Sequence, residues 1–243
     1  MSIAVFTTLK MEICVDSPES AKNAIQGGAT RLEVCSALSE GGLTPTAGLI
    51  KQIRSYSSIP IYAMLRIRGG NFVYTREEMD AMLYDLTILK TQNVNGFVFG
   101  ALTCDSEVDV NYCKEILEEA RPLPVTFHRA FDEVVDPIKS LETLVQLGFE
   151  RILTSGQKDH AEEGLDLIGR LVRQAHGRIK IMPGSGVSRE NIAKIKLLSG
   201  ASEFHASAKR RKYMSGGQNK VKIGAANESE YIMVTDPELV KEM

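Results

Sequence analysis

Two similar stretches, Met11-Glu12-Ile13-Cys14 and Leu32-Glu33-Val34-Cys35, decide how this chain is predicted to fold. Each is a short apolar run with a carboxylate and a thiol two residues apart, followed by residues typical of a loop. Residues i and i+2 of a strand share a face, so the carboxylate and the thiol of each run project together if the runs are consecutive parallel strands. Buried carboxylates must be paired or hydrogen-bonded, so the pattern indicates either a functional site or a structural ion pair beside two small apolar cysteines.

Six further apolar runs continue this pattern along the chain. Strands are predicted at 11–15, 31–35, 61–67, 96–99, 125–128, 151–154, 179–182 and 203–206, with a helix between each strand and the next. Helix signals include Ser17-Pro18, the capping box Thr75-Arg76-Glu77-Glu78, Asp136-Pro137 and the stop at Gly148. The sixth helix is predicted to begin at about Ala161, and Ser188 is predicted to cap the seventh. A repeat of roughly 20 to 30 residues is that of βα units, and eight units predict an α/β protein with a (β/α)8 TIM barrel. A doubly wound sheet is the alternative, but its Gly-x-Gly-x-x-Gly loop is missing after the first strand.

The chain is predicted to form a single domain over residues 1–243, with the barrel core at 11–207 and an irregular segment at 208–243. Asp236-Pro237 begins only a short helix, so the last barrel helix is predicted to be truncated or displaced, with a subunit partner over that flank. The run Lys209-Arg210-Arg211-Lys212 is predicted as a solvated loop. The alternative, a basic localisation patch, leaves a nuclear presence open.

Composition excludes several classes of protein. The chain is 43% hydrophobic and 25% charged with a net charge of −2, which implies neither a nucleic-acid partner nor an acidic tail. No apolar run approaches the roughly 20 residues of a membrane span, and residues 1–10 lack the features of a secretory signal. We therefore expect a cytoplasmic protein with reduced cysteines, among which Cys104 and Cys113 are predicted to be buried, inert thiols.

The ends of the predicted strands carry the chemistry. Barrel active sites lie at the carboxyl ends of the strands, and the alternation there brings carboxylates, arginines and histidines to one mouth. Such a set suits acid/base chemistry on a small phosphorylated or carboxylated molecule. The alternative is a structural charge network in which Glu12, Glu33 and Glu203 offset Arg66 and Arg68. The candidate catalytic residues are Glu33, His128, Glu203 and His205. The candidate anion-binding residues are Glu12, Arg66, Arg68, Arg129, Asp132 and the glycine turns Ser155-Gly156 and Gly184-Ser185-Gly186, whose backbone N–H groups are suited to an anion.

The metal hypothesis depends on Cys14 and Cys35. Adjacent strands lie about 4.8 Å apart, so two inward thiols at matched levels would face one ion. Two thiolates, with Met64 or Met182 near, are soft ligands that favour monovalent copper over magnesium or calcium. The absence of a Cys-x-x-Cys motif argues against zinc, and the spacing alone does not select copper.

Several stretches, in this order, resemble the CutC copper homeostasis proteins, in their eukaryotic form. They are MEICVDS (11–17), RLEVCSALSEGGLTP (31–45), RIRGGNFVY (66–74), FVFGALT (97–103), PLPVTFHRAFDEVVDP (122–137), LGFERILTSG (147–156), IMPGSGV (181–187) and EFHASA (203–208). The resemblance implies a (β/α)8 barrel, a homo-oligomer (dimer or tetramer) and cytoplasmic copper handling, with Cu(I) at Cys14 and Cys35. Both cysteines, together with Arg66, Arg68, His128, Arg129, Asp132, Glu203 and His205, stand at matching positions.

Two functional hypotheses follow. The first is a copper homeostasis protein that binds and handles monovalent copper. The second is a TIM-barrel enzyme, a lyase, isomerase or hydrolase, in which Arg66, Arg68 and the glycine turns hold a small anion while the carboxylates and histidines move protons. Whether the chain is an enzyme stays open at the level of sequence.

Overall fold

The computed structural model describes residues 9–214 and 231–243. The eight residues before this range, and the part of the predicted irregular segment at 215–230, lie outside the described residues. The parallel strands are β1 (Lys10–Val15), β2 (Arg31–Val34), β3 (Ile61–Met64), β4 (Gly96–Phe99), β5 (Val125–Phe127), β6 (Arg151–Thr154), β7 (Lys180–Pro183) and β8 (Glu203–Ala206).

These strands form the predicted (β/α)8 barrel. They are hydrogen-bonded in the order β7-β6-β5-β4-β3-β2-β1-β8, and β7 contacts β8 where the barrel closes. Residues facing the helices, such as Ile13, Leu32 and Val34, are fully buried. The hydrophobic core therefore fills the layer between strands and helices, and the polar residues of the same strands are left to the lumen.

The helices are α1 (Pro18–Gln26), α2 (Ala47–Arg54), α3 (Arg76–Lys90), α4 (Val110–Ala120), α5 (Pro137–Leu147), α6 (Leu165–Ala175), α7 (Ile192–Ser199) and α8 (Pro237–Lys241). The predicted caps form: the Ser17 side chain accepts from the Ser20 N–H, and Thr75 with Glu78 makes a reciprocal capping box. Gly148 ends α5 with φ of 92°.

Two helices begin later than predicted. The expected start of α6 is about Ala161, but the backbone of Gly164 lies against the loop after β6, where a Cβ would stand 2.0 Å from the Ser155 carbonyl oxygen. The start of α7 is delayed from Ser188 to Ile192, because the Asn191 side chain accepts from the Ser188 N–H at 2.9 Å and holds a turn. A packing contact with the preceding loop thus delays α6, whereas a competing local side-chain turn delays α7.

The level at which neighbouring strands pair differs from the prediction. Cys14 of β1 is paired with Glu33 of β2, and Glu12 is paired with Arg31. The expectation that Cys14 and Cys35 lie at matched levels is therefore wrong by two residues. Strands of a closed barrel are staggered along its axis, and this stagger brings unlike positions of the two similar stretches side by side.

The C-terminal segment is more regular than predicted. Strand β9 (Lys209–Tyr213) pairs antiparallel with β10 (Tyr231–Thr235) to form an arm beside α1, so the basic run is a strand rather than a solvated loop. Lys212 pairs with Glu19 at 2.7 Å, and the Asn23 side chain donates to the Thr235 carbonyl at 2.8 Å. These contacts are distant in sequence, so local composition does not reveal them.

The last helix is short and displaced, as predicted. Helix α8 has five residues and packs on the end of α1, where a Cβ on Gly27 would lie 2.5 Å from Val240 Cβ. Among the described residues, no helix is long and apolar enough to cross a membrane. Cys113 is buried on α4 as predicted, but Cys104 is exposed in the polar loop before it, so the prediction of a buried Cys104 is wrong.

Candidate metal and ligand site

A cavity of about 1080 Å³ opens at the carboxyl ends of the strands. Eight of the residues predicted from sequence line it: Cys14, Glu33, Arg66, His128, Arg129, Asp132, Gly186 and His205. Seven do not: Glu12, Cys35, Arg68, Ser155, Gly156, Gly184 and Glu203. The cavity lies where barrel enzymes and carriers place their ligands, and it brings together half of the predicted set.

Three buried side chains converge at one point of this cavity. One ligand-type atom from each of Cys14, Glu33 and His205 lies within 4.8 Å of the other two, and this is the group of metal-ligating type found among the described residues. The strand pairing explains the cluster, because β1 lies between β2 and β8 and Cys14 stands level with Glu33. The geometry therefore adds Glu33 and His205 to the predicted Cys14.

Glu12 orients the imidazole of this cluster from behind. His205 Nδ1 lies 2.8 Å from Glu12 Oε1, and His205 Nε2 lies 3.8 Å from Glu33 Oε2. Burial alone would raise the pKa of Glu12, but Arg31 and His205 lower it to about 2. Against the effect of burial, Glu33 and Cys14 raise the pKa of His205 well above its usual value. A carboxylate behind a histidine is the arrangement that fixes imidazole orientation at metal sites.

Cys35 lies beside the cluster rather than in it. Its side chain is fully buried, and its thiol donates to Glu33 Oε2 at 3.5 Å. Burial and the neighbouring Glu33 raise the pKa of Cys35 well above its usual value. A thiolate is the form that binds metal, and the raised pKa keeps Cys35 in its thiol form. Cys35 is therefore less suited to bind metal than its position in the sequence suggests.

Glu203 lies at the opposite end of the lumen from the cavity. It is the first residue of β8, and its carboxylate pairs with Arg151 at 2.7 Å and with Arg31 at 3.2 Å. The predicted placement of Glu203 at the mouth is wrong, because it begins its strand rather than ending it. The structural charge network that the sequence left open does exist, but Arg31 and Arg151 balance Glu12 and Glu203 in place of the expected Arg66 and Arg68.

The three predicted arginines have different surroundings. Arg68 leaves the lumen and pairs with Glu78 at the start of α3, at 2.5 Å. Arg129 lines the cavity but pairs with Asp132 at 2.8 Å. Arg66 is 6% exposed and donates to the backbone carbonyls of 40, 42 and 70, with its guanidinium carbon 5.1 Å from the centre of the Phe72 ring.

His128 occupies the cavity wall in its neutral form. Its Nδ1 accepts from the Ala130 N–H at 3.1 Å, which leaves the ring proton on Nε2. Burial, with Arg66 nearby, lowers the pKa of His128 to about 3. Gly100 makes room for the ring, since a Cβ there would stand 2.5 Å from Nδ1.

The predicted glycine turn after β6 already holds an anion from the chain itself. The Asp132 carboxylate accepts from the backbone N–H groups of Ser155 at 3.0 Å and Gln157 at 3.2 Å, and the Gly156 N–H donates to Thr154. The expectation that Ser155 and Gly156 present free N–H groups to a ligand is therefore wrong. Asp132 comes from the neighbouring β5 loop, and sequence spacing does not show that it folds into this turn.

The turn after β7 serves mainly to admit neighbouring side chains. A Cβ on Gly184 would lie 2.5 Å from Leu153 and 3.3 Å from His205, so this glycine allows His205 to pack. Gly186, with φ of 69°, reaches the cavity.

Residues that sequence reasoning missed at the cavity include Asp16, Glu40, Phe72, Lys209 and the β10 residues Tyr231, Ile232 and Met233. Phe72 lies in a glycine-flanked loop after β3, which is a signal that could have indicated it.

Comparison with known proteins gives a consistent result. The sequence model of the CutC family matches residues 9–210. The copper homeostasis protein cutC homolog of Homo sapiens is 50% identical over 230 residues, which cover 93% of this chain and 84% of the human protein. The homolog of Mus musculus is 49% identical over 93% of this chain and 85% of the mouse protein. The crystal structure of the CutC protein from Streptococcus agalactiae matches with a TM-score of 0.79 and 33% identity, over 82% of this chain and 99% of that one.

Proposed function

Because the chain belongs to the CutC family, we propose that it is a copper homeostasis protein that binds monovalent copper as its cargo, with Cys14 and His205 as the principal ligands. One observation carries the proposal: Cys14, Glu33 and His205 are all buried and bring one ligand-type atom each within 4.8 Å of the others. The same residues lie at the wall of the large cavity, which gives an ion a route to them.

The chemistry of these donors suits a soft ion. Once binding displaces their protons, the Cys14 thiolate and the neutral His205 imidazole are donors that Cu(I) accepts, whereas Mg²⁺ and Ca²⁺ require several oxygen ligands. Glu12 holds Nδ1 of His205, so Nε2 is the nitrogen turned toward Cys14 and Glu33. The Cys14 thiolate supplies the negative charge that offsets Cu(I), and Glu33 lies beside it with a pKa raised by burial.

Thioethers extend the soft surface from the cluster toward solvent. Met64 is 4% exposed at the cavity wall, and Met233 of β10 is 42% exposed at its rim. Methionine sulfur is a weak ligand for Cu(I), so these residues support entry and release of the ion rather than retention.

The remaining parts of the proposal concern the setting of the protein. We propose a cytoplasmic location, supported by four cysteines that form no disulfide with one another. We also propose a homo-oligomer, supported by the exposed Leu197 and Leu198 of α7. Arg189, just before α7, pairs with Glu242, just after α8, at 2.7 Å, so the start of α7 lies beside the displaced α8.

An anaerobic competition titration of Cu(I) against a chromophoric chelator tests the copper site. We expect one ion per chain, with affinity lowered at least about tenfold, or about 1.4 kcal/mol, by Cys14→Ser and by His205→Asn. Cys104→Ser is the matched control, because it removes an exposed thiol outside the cavity and should leave the affinity unchanged. A smaller effect is expected from Cys35→Ser. Equal loss with Cys14→Ser and Cys35→Ser, without loss in His205→Asn, would instead support the two-cysteine site predicted from sequence.

A further inference from the structure

Arg66 is a buried cation at the cavity wall, and no carboxylate of the described residues pairs with it. Among residues 9–214 and 231–243, its only hydrogen-bond acceptors are three neutral backbone carbonyls, at 2.8, 3.3 and 3.0 Å. The other buried arginines, Arg31 and Arg151, each pair with glutamates. A buried charge is costly unless it is paired, so the Arg66 site lacks a counterion in the part of the chain that is described.

The guanidinium also has hydrogen-bonding capacity left. An arginine has five N–H donors, and three of them reach the carbonyls of residues 40, 42 and 70. Arg66 Nε is buried without a well-formed hydrogen bond among the described residues, and so is the hydroxyl of Tyr74, a neighbour of Arg66. Buried donors are almost always satisfied in folded proteins, so an unpaired one on the wall of a large cavity indicates a ligand.

His128 places a second unpaired donor close to Arg66. Phe72 joins the two residues, since its ring centre lies 5.1 Å from the Arg66 guanidinium carbon and 4.9 Å from the His128 ring centre. His128 Nε2 carries the ring proton and, like Arg66 Nε, is buried without a partner among the described residues. Two buried, unpaired donors on residues that line the same cavity suit a group that only accepts hydrogen bonds.

Asp16, Glu33, Glu40, Asp132 and Glu133 are the acidic residues that line the cavity, and none of them forms an ion pair with Arg66. Asp132 is held by Arg129 and by the turn after β6. Asp16 lies 3.8 Å from Lys209. Glu33 Oε2 faces His205, while Glu33 Oε1 is buried without a partner among the described residues. Glu40 is exposed, and it meets Arg66 only through its backbone carbonyl. The counterion of Arg66 is therefore not supplied by the residues around it.

We propose that the cavity binds a small metabolite through an anionic group, a carboxylate or a phosphate, that pairs with Arg66 and accepts a hydrogen bond from His128 Nε2. The cavity of about 1080 Å³ has room for such a molecule, since ligand pockets commonly measure about 300–1,000 Å³. This site is separate from the copper ligands in the residues it uses, and it does not depend on copper binding.

Histidine NMR reports on this site directly. The chain has four histidines, so ¹⁵N-histidine labelling gives few signals, and the His128 signal is assigned by its loss in His128→Asn. Metal-free protein is titrated with malonate and, separately, with methyl phosphate. We expect a saturable shift of the His128 Nε2 resonance, and the tighter probe identifies the anionic group as carboxylate or phosphate.

Variants of Arg66 provide the decisive comparison. Arg66→Gln should weaken binding about 10- to 100-fold, which is the loss expected for one charged hydrogen-bonded contact. Arg66→Lys keeps the positive charge but loses the planar guanidinium group that donates two parallel hydrogen bonds, so it should bind the anion with intermediate affinity. This variant still tests the proposal if Arg66→Gln does not fold. Arg178→Gln makes the same change in charge at the other end of the barrel, where Arg178 pairs with Glu142, and should bind as the wild type does.

Two results would overturn the proposal. One is the absence of a saturable shift with both probes in the wild type, and the other is equal affinity in the wild type and the folded Arg66 variants. Cys14→Ser should bind the anion as the wild type does. That variant separates the two proposals, because it removes a copper ligand without touching the anion site.

Discussion

The protonation state and the role of each buried charged residue depend on its immediate neighbours. Glu203 was expected to be a catalytic acid or base, yet it lies between two arginines and is 3% exposed. Burial alone would raise the pKa of Glu203, but Arg151 and Arg31 lower it overall. A carboxylate held ionised by two guanidinium groups at the closed end of the barrel stabilises the fold rather than transferring protons.

Removing this charge should cost stability and spare ligand binding. Glu203→Gln leaves Arg151 and Arg31 partly unpaired, so we expect a loss of about 3–5 kcal/mol in the free energy of unfolding, measured by urea denaturation. Glu142→Gln, which breaks an exposed pair with Arg178, should cost less than about 1 kcal/mol. A Glu203→Gln protein as stable as the wild type would show that this network is not structural.

His128 should make stability depend on pH. Its pKa is about 3 in the folded chain, against 6.5 for the free side chain, so the unfolded chain binds more protons between these values. The free energy of unfolding therefore falls as the pH drops below about 6.5, by up to about 1.4 kcal/mol per pH unit, until the folded pKa is reached. His128→Asn retains an acceptor for the Ala130 N–H and should show a shallower decline between pH 6.5 and 5. Identical slopes in urea denaturation of the two proteins would contradict the neutral, buried state of His128.

At the scale of elements, the local signals for helices are the ones that sequence reveals. Asp136 caps α5 by accepting from the backbone N–H groups of Ile138 and Lys139, both at 3.0 Å. Asp136→Ala should cost about 1 kcal/mol in unfolding free energy, whereas Asp136→Asn keeps a capping oxygen and should cost much less. Equal losses in thermal denaturation would show that the charge, and not the cap, stabilises this helix.

Strand positions and caps could be predicted because they depend on neighbours in sequence. The pairing of strands could not, since Cys14 meets Glu33 only through the stagger of the closed barrel. For the same reason Cys35 was expected among the metal ligands and lies beside the cluster of Cys14, Glu33 and His205, while His205 was predicted as a catalytic residue and belongs to that cluster. The arm of β9 and β10 was missed because its contacts with α1 link residues more than 190 positions apart.

The site itself was predicted in part. The expectation that Glu33, His128 and His205 share one cavity with Cys14 and Arg66 agrees with the lining residues observed. The turn after β6 was misjudged, because Asp132 from the preceding βα loop fills it. Arg31 and Arg151 were overlooked, although each opens a strand and Arg31 stands two residues before Glu33, on the same face.

At the scale of the whole molecule, the flank around α7 and α8 is where we expect a second copy of the chain. Leu197 and Leu198 are 82% and 54% exposed, while the displaced α8 has only five residues. Sedimentation velocity should show a dimer or larger species, and Leu197→Lys with Leu198→Lys should shift it toward monomer. A monomeric wild type at micromolar concentration would contradict the homo-oligomer. Tyr84→Lys, which adds a positive charge at an exposed residue of α3, is the matched control for the change in surface charge.

The two proposed ligands share one cavity at the open end of this barrel. Copper is assigned to the cluster on β1, β2 and β8, and the anion is assigned to Arg66 and His128 after β3 and β5. The closed end is occupied by the charge network around Glu203. This separation of a stabilising end from a binding end is typical of the fold.

X-ray absorption at the copper edge of the Cu(I)-loaded protein tests the central claim most directly, because it counts the types of atom bound to the ion. With Cys14 and His205 as ligands, the spectrum should contain one sulfur and at least one imidazole nitrogen, and the sulfur should disappear in Cys14→Ser. A spectrum with two sulfurs and no imidazole, or with no sulfur at all, would contradict the assignment of copper to the Cys14 and His205 cluster.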